Sequence, residues 1–341
     1  MKALKYIIFL LLILIIGAAI YVAVQPNEFT VTRTKTINAP SQLVFNNIID
    51  FKNWEAWSSW AEADPDMTIT LPEQTSGVGG SYQWEDKDGI GTMKTIEVIP
   101  FTEIKQQMQF ADFPPSDISW KIIPTEDGNT EVTWNIAGKD LPFGFKAFSA
   151  FMGGMEKQIG PHFERGLVKL DSVLIDDMKK YEVTVNGISE YGGGFYLYKT
   201  TNATNSNISQ KMGEQYGSIM AYIMQNKIDP NGMPLTVYQE MNNEEGTVIM
   251  SNGIPVKERI DVAADSDILC GYIPKMRTLK TTLLGNYSNL EKAWSQAMTH
   301  MSENNLIASE HKPFEIYTND PGQVPNPSEW RTEIYIPLKE E

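Results

Sequence analysis

The segment Pro313-Phe-Glu-Ile-Tyr317 repeats the pattern of an earlier one, Pro234-Leu-Thr-Val-Tyr238. Two further landmarks recur with this pair, namely a Lys-Thr-Thr triplet that begins at Lys199 and Lys280, and a later proline at Pro255 and Pro337. The three separations are 79, 81 and 82 residues. Landmarks that recur at nearly one separation indicate an internal duplication in which each copy is one structural unit.

Each copy predicts the same order of elements. A strand carries the Lys-Thr-Thr triplet, a helix follows at about 212–226 or 290–304, and two strands complete the unit. A further strand pattern, Tyr181 to Ile188, begins the segment. Two such units that face each other predict a pseudo-twofold α+β domain over residues 181–341, with a cleft between the units.

The second copy carries the more specific motifs. It contains Phe314-Glu-Ile-Tyr317, Asn319-Asp-Pro321 and Thr332-Glu-Ile-Tyr-Ile-Pro337, and with them it resembles the GyrI-like family over about 183–339. This family forms the effector-binding domain of some MerR- and AraC-type regulators. The resemblance implies a cleft that is lined by aromatic side chains, has an acid near its centre, and binds lipophilic and often cationic small molecules. By the same resemblance, Glu333 is expected to be that acid.

Strand periodicity supports a polar and aromatic face at the end of the chain. Glu333 and Tyr335 alternate with Ile334 and Ile336, so the two pairs lie on opposite faces of the last strand. A carboxylate that is partly withdrawn from water favours a cation, and nearby rings add about 0.5 to 2 kcal/mol of cation–π attraction. The alternative is that Glu333 is exposed and pairs with a surface Lys or Arg. The further aromatic candidates for this cleft are Tyr317, Trp294, Tyr272 and Trp330.

Residues 28–180 show the pattern of an antiparallel sheet that is followed by a long helix. Phe29 to Ile37 alternates as a strand, a helix is capped by Ser41, and six strand-like runs come after it, separated by turns. Apolar residues then recur every three or four positions from Phe148 to Met178, which predicts a long helix. Gly153-Gly154 is expected to kink or loosen the start of this helix.

Several motifs in this segment resemble the SRPBCC superfamily, which includes START-like and polyketide cyclase-like domains. They are Ile37-Asn-Ala-Pro-Ser-Gln-Leu-Val-Phe45, the aromatic turn from Trp54 to Trp57, and Gly77-Val-Gly-Gly-Ser-Tyr-Gln-Trp84. The resemblance implies a helix-grip fold with a deep apolar cavity for lipids or other hydrophobic molecules, but it does not imply one reaction. The candidate cavity residues, which are otherwise ordinary core, are Trp84, Trp120, Trp134, Phe148, Phe151 and Met155.

The N-terminus has the composition of a membrane anchor. Residues 6–24 form an uncharged run of 19 residues, close to the ~20 residues that cross a bilayer, and Lys2 and Lys5 precede it. We therefore expect an uncleaved single-pass anchor over residues 1–27, with the globular part outside the cytoplasm. A cleaved signal peptide and a buried core helix are the alternatives.

Composition excludes several classes of function. The net charge of −15 disfavours nucleic acid as a partner, because affinity for phosphates depends on Lys and Arg. One cysteine and three scattered histidines do not predict a zinc site, and no phosphate-binding glycine loop is present. We therefore expect neither a metal nor a nucleotide cofactor.

Three hypotheses for function follow from the sequence. The first is a membrane-anchored protein that binds or senses lipophilic, including cationic, small molecules through an apolar cavity and an acidic aromatic cleft. The second is a hydrolase or cyclase that acts on such a compound, with Glu333 and Tyr335 as an acid/base pair. The third is an interaction module in which both cavities are filled and a partner protein docks.

Overall fold

A computed structural model describes residues 2–242 and 244–340, and the chain divides into two units between Asp176 and Asp177. Each unit is built on one antiparallel sheet, with seven strands in the first unit and eight in the second. The α+β class predicted from the sequence is therefore confirmed.

The first unit begins with α1 (Lys2–Ala23). Within it, Leu4–Ala23 is long and apolar enough to cross a membrane, and a signal sequence passes the same test. Its apolar side chains are exposed along nearly the whole helix, and Val22 near the C-terminal end is buried.

The sheet of the first unit follows the predicted hairpins. Its strand order is β1-β7-β6-β5-β4-β3-β2. The strands are β1 (Phe29–Ile37), β2 (Thr68–Thr70), β3 (Ser81–Asp86), β4 (Gly89–Ile99), β5 (Glu103–Phe110), β6 (Ser116–Pro124) and β7 (Thr130–Gly138). The remaining helices of the unit are α2 (Ser41–Ile49), α3 (Trp54–Trp57), α4 (Ser59–Ala63), α5 (Phe143–Met152) and α6 (Met155–Met178).

The long helix expected from Phe148 to Met178 is in fact two helices, α5 and α6. The physical reason is the pair of glycines between them. Gly153 caps α5 in the left-handed conformation (φ 88°), and Gly154 also has a positive φ of 94°. Glycine adopts the left-handed conformation without steric cost, and a residue in that conformation ends a regular α-helix.

Aromatic rings fill the space between the first sheet and α6. Trp120 and Trp134 stack with their ring centroids 4.3 Å apart, and Trp134 stacks on Phe163 of α6 at 3.8 Å. Trp57 contacts both tryptophans edge-on. All four side chains are almost completely buried, so this aromatic group forms the core of the unit.

The sheet of the second unit has the order β12-β9-β11-β10-β14-β15-β13-β8. Its strands are β8 (Tyr181–Tyr191), β9 (Gly194–Thr204), β10 (Leu235–Asn242), β11 (Thr247–Val256), β12 (Leu269–Ile273), β13 (Met276–Gly285), β14 (Phe314–Tyr317) and β15 (Arg331–Pro337). Its helices are α7 (Ile208–Gln225) and α8 (Leu290–Glu303). The first copy of the repeat is β9-α7-β10-β11 and the second is β13-α8-β14-β15.

The strand order makes the duplication visible. The two copies meet at β10 and β14, where Thr236 lies directly opposite Glu315, its counterpart in the repeat. The pseudo-twofold axis therefore passes between these two residues. The outer strands are exchanged between the copies. β8 precedes the first copy but pairs with β13 of the second, and β12 precedes the second copy but pairs with β9 of the first.

Both helices pack on one face of this sheet. α8 contacts Leu279, Ile334 and Ile336, and α7 contacts Leu197 and Ile254. Side chains that are paired across neighbouring strands point to the same face, so Glu315, which is opposite Ile334, also lies on this helix-bearing face.

Candidate functional site

A fully buried carboxylate lies on the helix-bearing face, where the two copies meet. Glu315 of β14 is 0% exposed. The indole N–H of Trp294 donates to its Oε1 at 2.6 Å, the hydroxyl of Tyr317 donates to its Oε2 at 2.7 Å, and Tyr238 makes a third side-chain hydrogen bond. All three partners are neutral. The carboxylate is thus hydrogen-bonded, but these partners do not neutralise its charge.

Burial has a direct effect on the acidity of this site. Desolvation raises the pKa of Glu315, and the hydrogen bonds from Tyr317, Trp294 and Tyr238 offset only part of that rise. The same burial and the negative charge of Glu315 raise the pKa of Tyr317 well above its usual value. The site therefore favours a protonated acid, or an ionised one that a bound cation neutralises.

Aromatic rings surround this acid. Tyr238 meets Trp294 edge-on at 5.7 Å, and Tyr317 meets both Tyr216 at 6.3 Å and Tyr287 at 5.4 Å. Farther out, Trp330 packs on Tyr287 at 4.8 Å. We call this set the Glu315 cluster; its members are Tyr216, Thr236, Tyr238, Tyr287, Trp294, Glu315, Tyr317 and Trp330.

The repeat explains how the cluster is assembled. Tyr216 of α7 hydrogen-bonds to Thr236 of the same copy at 2.8 Å, and Trp294 of α8 hydrogen-bonds to Glu315 in the same way. Each copy therefore contributes one aromatic residue from its helix and one polar residue from its central strand. The duplication has kept the geometry and changed the chemistry, since a hydroxyl in one copy corresponds to a carboxylate in the other.

Glu333 has a different environment. It lies on the opposite face of the sheet, with its Oε1 2.9 Å from Lys280 and 3.1 Å from Arg331. The hydroxyl of Tyr335 donates to its Oε2 at 2.6 Å, so Glu333 and Tyr335 share one face as the periodicity predicts. We call these four residues the Glu333 network.

The cations reverse the effect of burial on Glu333. Desolvation pushes its pKa upward, but the hydrogen bonds from Tyr335 and Lys280, with the charges of Lys280 and Arg331, lower the pKa overall. Burial and the nearby carboxylate raise the pKa of Tyr335. At neutral pH the pair is therefore an ionised carboxylate and a neutral phenol.

The predicted cleft residues are distributed over several places. Tyr317 and Trp294 contact Glu315 directly, and Trp330 lies at the edge of the Glu315 cluster. Tyr335 accompanies Glu333 on the other face. Tyr272 is 57% exposed on the outer strand β12.

The face that carries the Glu333 network also has a small cavity of about 120 Å³. Tyr191, Tyr196, Leu235 and Ile316 are among the side chains that line it. Ile316 is paired with Glu333 across β14 and β15, so the cavity adjoins the network.

In the first unit, the predicted cavity residues also differ in their positions. Trp120 and Trp134 are buried in the aromatic core, Trp84 stacks on Tyr82 at 5.4 Å, and Met155 is half-buried at the start of α6.

Phe148 and Phe151 lie on α5 and are 48% and 71% exposed, so they do not line the interior. The reason is the break at Gly153-Gly154, which separates α5 from α6. A cavity of about 370 Å³ lies instead along β2, β3 and β4.

The sequence reasoning did not identify Glu315, Tyr238, Tyr216 or Tyr287. One signal for Glu315 was present, because it occupies the position of Thr236 in the repeat and interrupts an otherwise apolar short strand. Among residues 2–242 and 244–340, no group of three or more His, Cys, Asp or Glu side chains is placed to hold a metal ion.

Comparison with known families agrees with the two folds. Residues 28–174 match the polyketide cyclase/dehydrase and lipid transport family, and residues 195–339 match the GyrI-like small molecule binding domain. The two matches follow one another in the predicted order. The GyrI-like match includes both the Glu315 cluster and the Glu333 network.

Solved structures give more distant similarities. The C-terminal domain of EcmrR is 17% identical, with 47% of this chain and 99% of that chain covered and a TM-score of 0.41. Protein CV1439 from Chromobacterium violaceum is 14% identical, with 42% and 96% covered and a TM-score of 0.32. A protein from Staphylococcus epidermidis is 19% identical, with 46% and 94% covered and a TM-score of 0.33. No curated protein matches the chain by sequence.

Proposed function

We propose that this protein is held at a membrane by α1 and binds lipophilic cations in the Glu315 cluster of its GyrI-like domain. The observation that carries this proposal is the burial of Glu315 among neutral hydrogen-bond donors and aromatic rings. The family matches support small-molecule binding in general. The cationic ligand and the choice of Glu315 are our own inference.

The chemistry of the cluster favours a ligand with a delocalised positive charge. An ionised carboxylate that is removed from water is costly, and a cation that enters beside it recovers this cost through Coulomb attraction. Rings such as Tyr317 and Trp294 add cation–π attraction and apolar contact. A small hydrated cation gains less, because it loses its own hydration without gaining apolar contact.

The Glu333 network is less suited to a cation. Lys280 and Arg331 already neutralise Glu333, and together the three groups carry a net charge of +1. A second cation there would meet like charges. This difference is why we now assign the cation-binding role to Glu315 rather than to Glu333.

A ligand would reach Glu315 by displacing the outer rings. Tyr287 lies in a short 3₁₀ segment before α8, and Trp330 follows another short segment, Pro327–Glu329. Both rings lie on connections rather than inside strands, so they move at lower cost than the sheet. We propose that these two side chains form the entrance.

The test uses the full chain in an uncharged detergent, with tetraphenylphosphonium as the probe and triphenylphosphine oxide as a neutral analogue. Calorimetric titration should show that Glu315→Gln weakens binding of the cation by at least about tenfold, or about 1.4 kcal/mol. The matched control, Glu333→Gln, should leave it within twofold. The neutral analogue should bind both variants alike. Equal cation affinity in wild type and Glu315→Gln, with both proteins folded by circular dichroism, would refute the proposal.

The hydrolase alternative has one observation in its favour, the 2.6 Å hydrogen bond between Tyr335 and Glu333. Against it, the lowered pKa of Glu333 makes this carboxylate a weak base, and the raised pKa of Tyr335 makes the phenol a weak acid. Turnover of a lipophilic ester that is lost in both Glu333→Gln and Tyr335→Phe would favour this alternative. Turnover that is lost only in Glu315→Gln would place catalysis in the Glu315 cluster.

A further inference from the structure

Helix α5 presents an apolar surface to solvent. Phe143, Phe148, Phe151 and Met152 are 54%, 48%, 71% and 47% exposed, and no residue of the helix is buried. The surrounding stretch 141–155 contains a single charged residue, Lys146, in a chain that is 21% charged and strongly acidic. Exposed apolar groups at this density on one helix mark a contact surface.

The position of α5 indicates what that surface contacts. The backbone N–H of Leu141, just before α5, donates to the carbonyl of Asn27 at 3.2 Å, and Phe145 of α5 stacks on Phe29 at 5.8 Å. Asn27 and Phe29 lie where the chain leaves α1, and α1 itself packs against α5. The exposed apolar side chains of α5 are therefore continuous with the exposed apolar surface of α1.

We propose that α5 lies in the interfacial layer of the bilayer that α1 enters, with Phe148 and Phe151 inserted between lipid headgroups. This inference rests on the proposed anchoring by α1. An amphipathic helix with aromatic side chains binds in this layer by burying its apolar face, and Lys146 is placed on the same helix to pair with anionic headgroups. The occupant of the α5 surface is thus lipid, and the first domain is held against the membrane at two points.

The length of the sheet provides a control position that lies far from the proposed membrane contact. Phe29 is at the membrane end of β1, and Ile37 is eight residues further on, or about 26 Å away. Ile123 of β6 pairs with Glu131, which pairs with Thr36, so Ile123 lies at the far end of the same sheet. It is 51% exposed, which matches Phe148 at 48%. Ile123 is therefore a control with the same exposure and a different expected depth.

The experiment measures depth by spin labelling of the full chain in phosphatidylcholine vesicles that contain phosphatidylglycerol. Cys270, the single cysteine, is replaced by serine, and a nitroxide is attached in turn to Leu11→Cys, Phe148→Cys, Phe151→Cys and Ile123→Cys. Collision of each label with oxygen, which concentrates in lipid, is compared with collision with a water-soluble nickel chelate. We expect positions 148 and 151 to favour oxygen, position 11 to favour it more strongly, and position 123 to favour nickel.

Three results would overturn the inference, and they are distinguishable. If position 11 reports lipid while 148 and 151 resemble 123, α1 is an anchor but α5 is not at the membrane. If position 11 also reports water, the anchoring itself fails and the inference fails with it. If 148 and 151 are protected from both reagents, the surface is covered by protein, such as a second copy of the chain.

Discussion

The tripeptide Glu-Ile-Tyr occurs twice in the second domain, in β14 and in β15, and its two copies have opposite environments. In both, the tyrosine hydroxyl donates to the glutamate two residues before it, at 2.7 Å for Glu315 and 2.6 Å for Glu333. The strands are antiparallel neighbours, and each glutamate is paired with the isoleucine of the other tripeptide, Glu315 with Ile334 and Glu333 with Ile316. The two carboxylates therefore point to opposite faces of one sheet.

The other side chains that contact each carboxylate decide what it is suited to do. Glu315 receives further hydrogen bonds from neutral donors, and its pKa is raised. Glu333 contacts Lys280 and Arg331, and its pKa is lowered. Identical local sequence thus gives one acid that lacks a counter-ion among its partners and one that has two, so the motif alone does not identify a binding site.

The largest expected effect comes from making Glu333 resemble Glu315. The double variant Lys280→Met, Arg331→Met removes both cations and leaves a largely buried carboxylate with only Tyr335. We expect the free energy of unfolding at pH 7 to fall by about 3 kcal/mol, mainly because loss of Lys280, which is 24% exposed, leaves the 13% exposed Glu333 side chain without its closest counter-ion. Arg331 is 50% exposed and contributes less. Urea denaturation of the full chain measures it.

A triple variant that also carries Glu333→Gln is the control for this prediction. It removes the uncompensated charge, so most of the lost stability should return. If the double and triple variants were equally unstable, the cations would act through packing rather than through Glu333.

A smaller effect is expected from removing one hydrogen-bond donor at each site. Trp294→Phe deletes the indole N–H that binds Glu315, and we expect a loss of about 2 kcal/mol, since a carboxyl oxygen in a fully buried position is left without its donor. Tyr335→Phe deletes the corresponding donor to Glu333, which keeps both cations, and should cost less than about 1 kcal/mol. A larger loss of stability in Tyr335→Phe than in Trp294→Phe would contradict the view that Glu315 depends more strongly on its hydrogen-bond donors than Glu333 does.

The architecture of the second domain was predictable, because the repeat fixes the order of elements and alternation fixes which residues share a face. Alternation correctly placed Glu333 beside Tyr335 and opposite Ile334. It did not reveal that Ile334 is paired with Glu315, because cross-strand register depends on how β14 and β15 align in space. The position of Lys280 relative to Glu333 was unknown for a similar reason, because it depends on how β13 aligns with β15.

The first domain shows the same limit for a helix. The spacing of Phe148 and Phe151 fits the apolar stripe that continues in α6, so periodicity alone assigns them to the core. The left-handed glycines at 153 and 154 end α5 and separate its residues from that stripe. The sequence predicts that Gly153-Gly154 kinks or loosens the helix. It does not predict that the helix ends there, or the direction in which α5 extends from that point.

The smallest effect that we predict is a difference in pH dependence, and its sign differs between the two acids. The folded state binds a proton at Glu315 more tightly than the unfolded state, so this group makes stability fall as pH rises from about 4.3, the ordinary pKa of Glu, up to its raised folded pKa. Glu333 acts in the opposite sense, because its lowered pKa gives stability that is present above about pH 4.3 and is lost as pH falls through the folded pKa.

Single variants separate these two contributions. Glu315→Gln should flatten the dependence of unfolding free energy on pH above about 4.3 and leave the acid limb unchanged, whereas Glu333→Gln should flatten only the acid limb. Urea denaturation at half-unit steps from pH 3 to pH 7.5 resolves the two windows.

Because a bound cation favours ionised Glu315, affinity for tetraphenylphosphonium should increase with pH over the upper window, and it should do so equally in Glu333→Gln. An affinity that follows the acid limb instead would transfer the cation site to Glu333 and remove the distinction between the two Glu-Ile-Tyr copies.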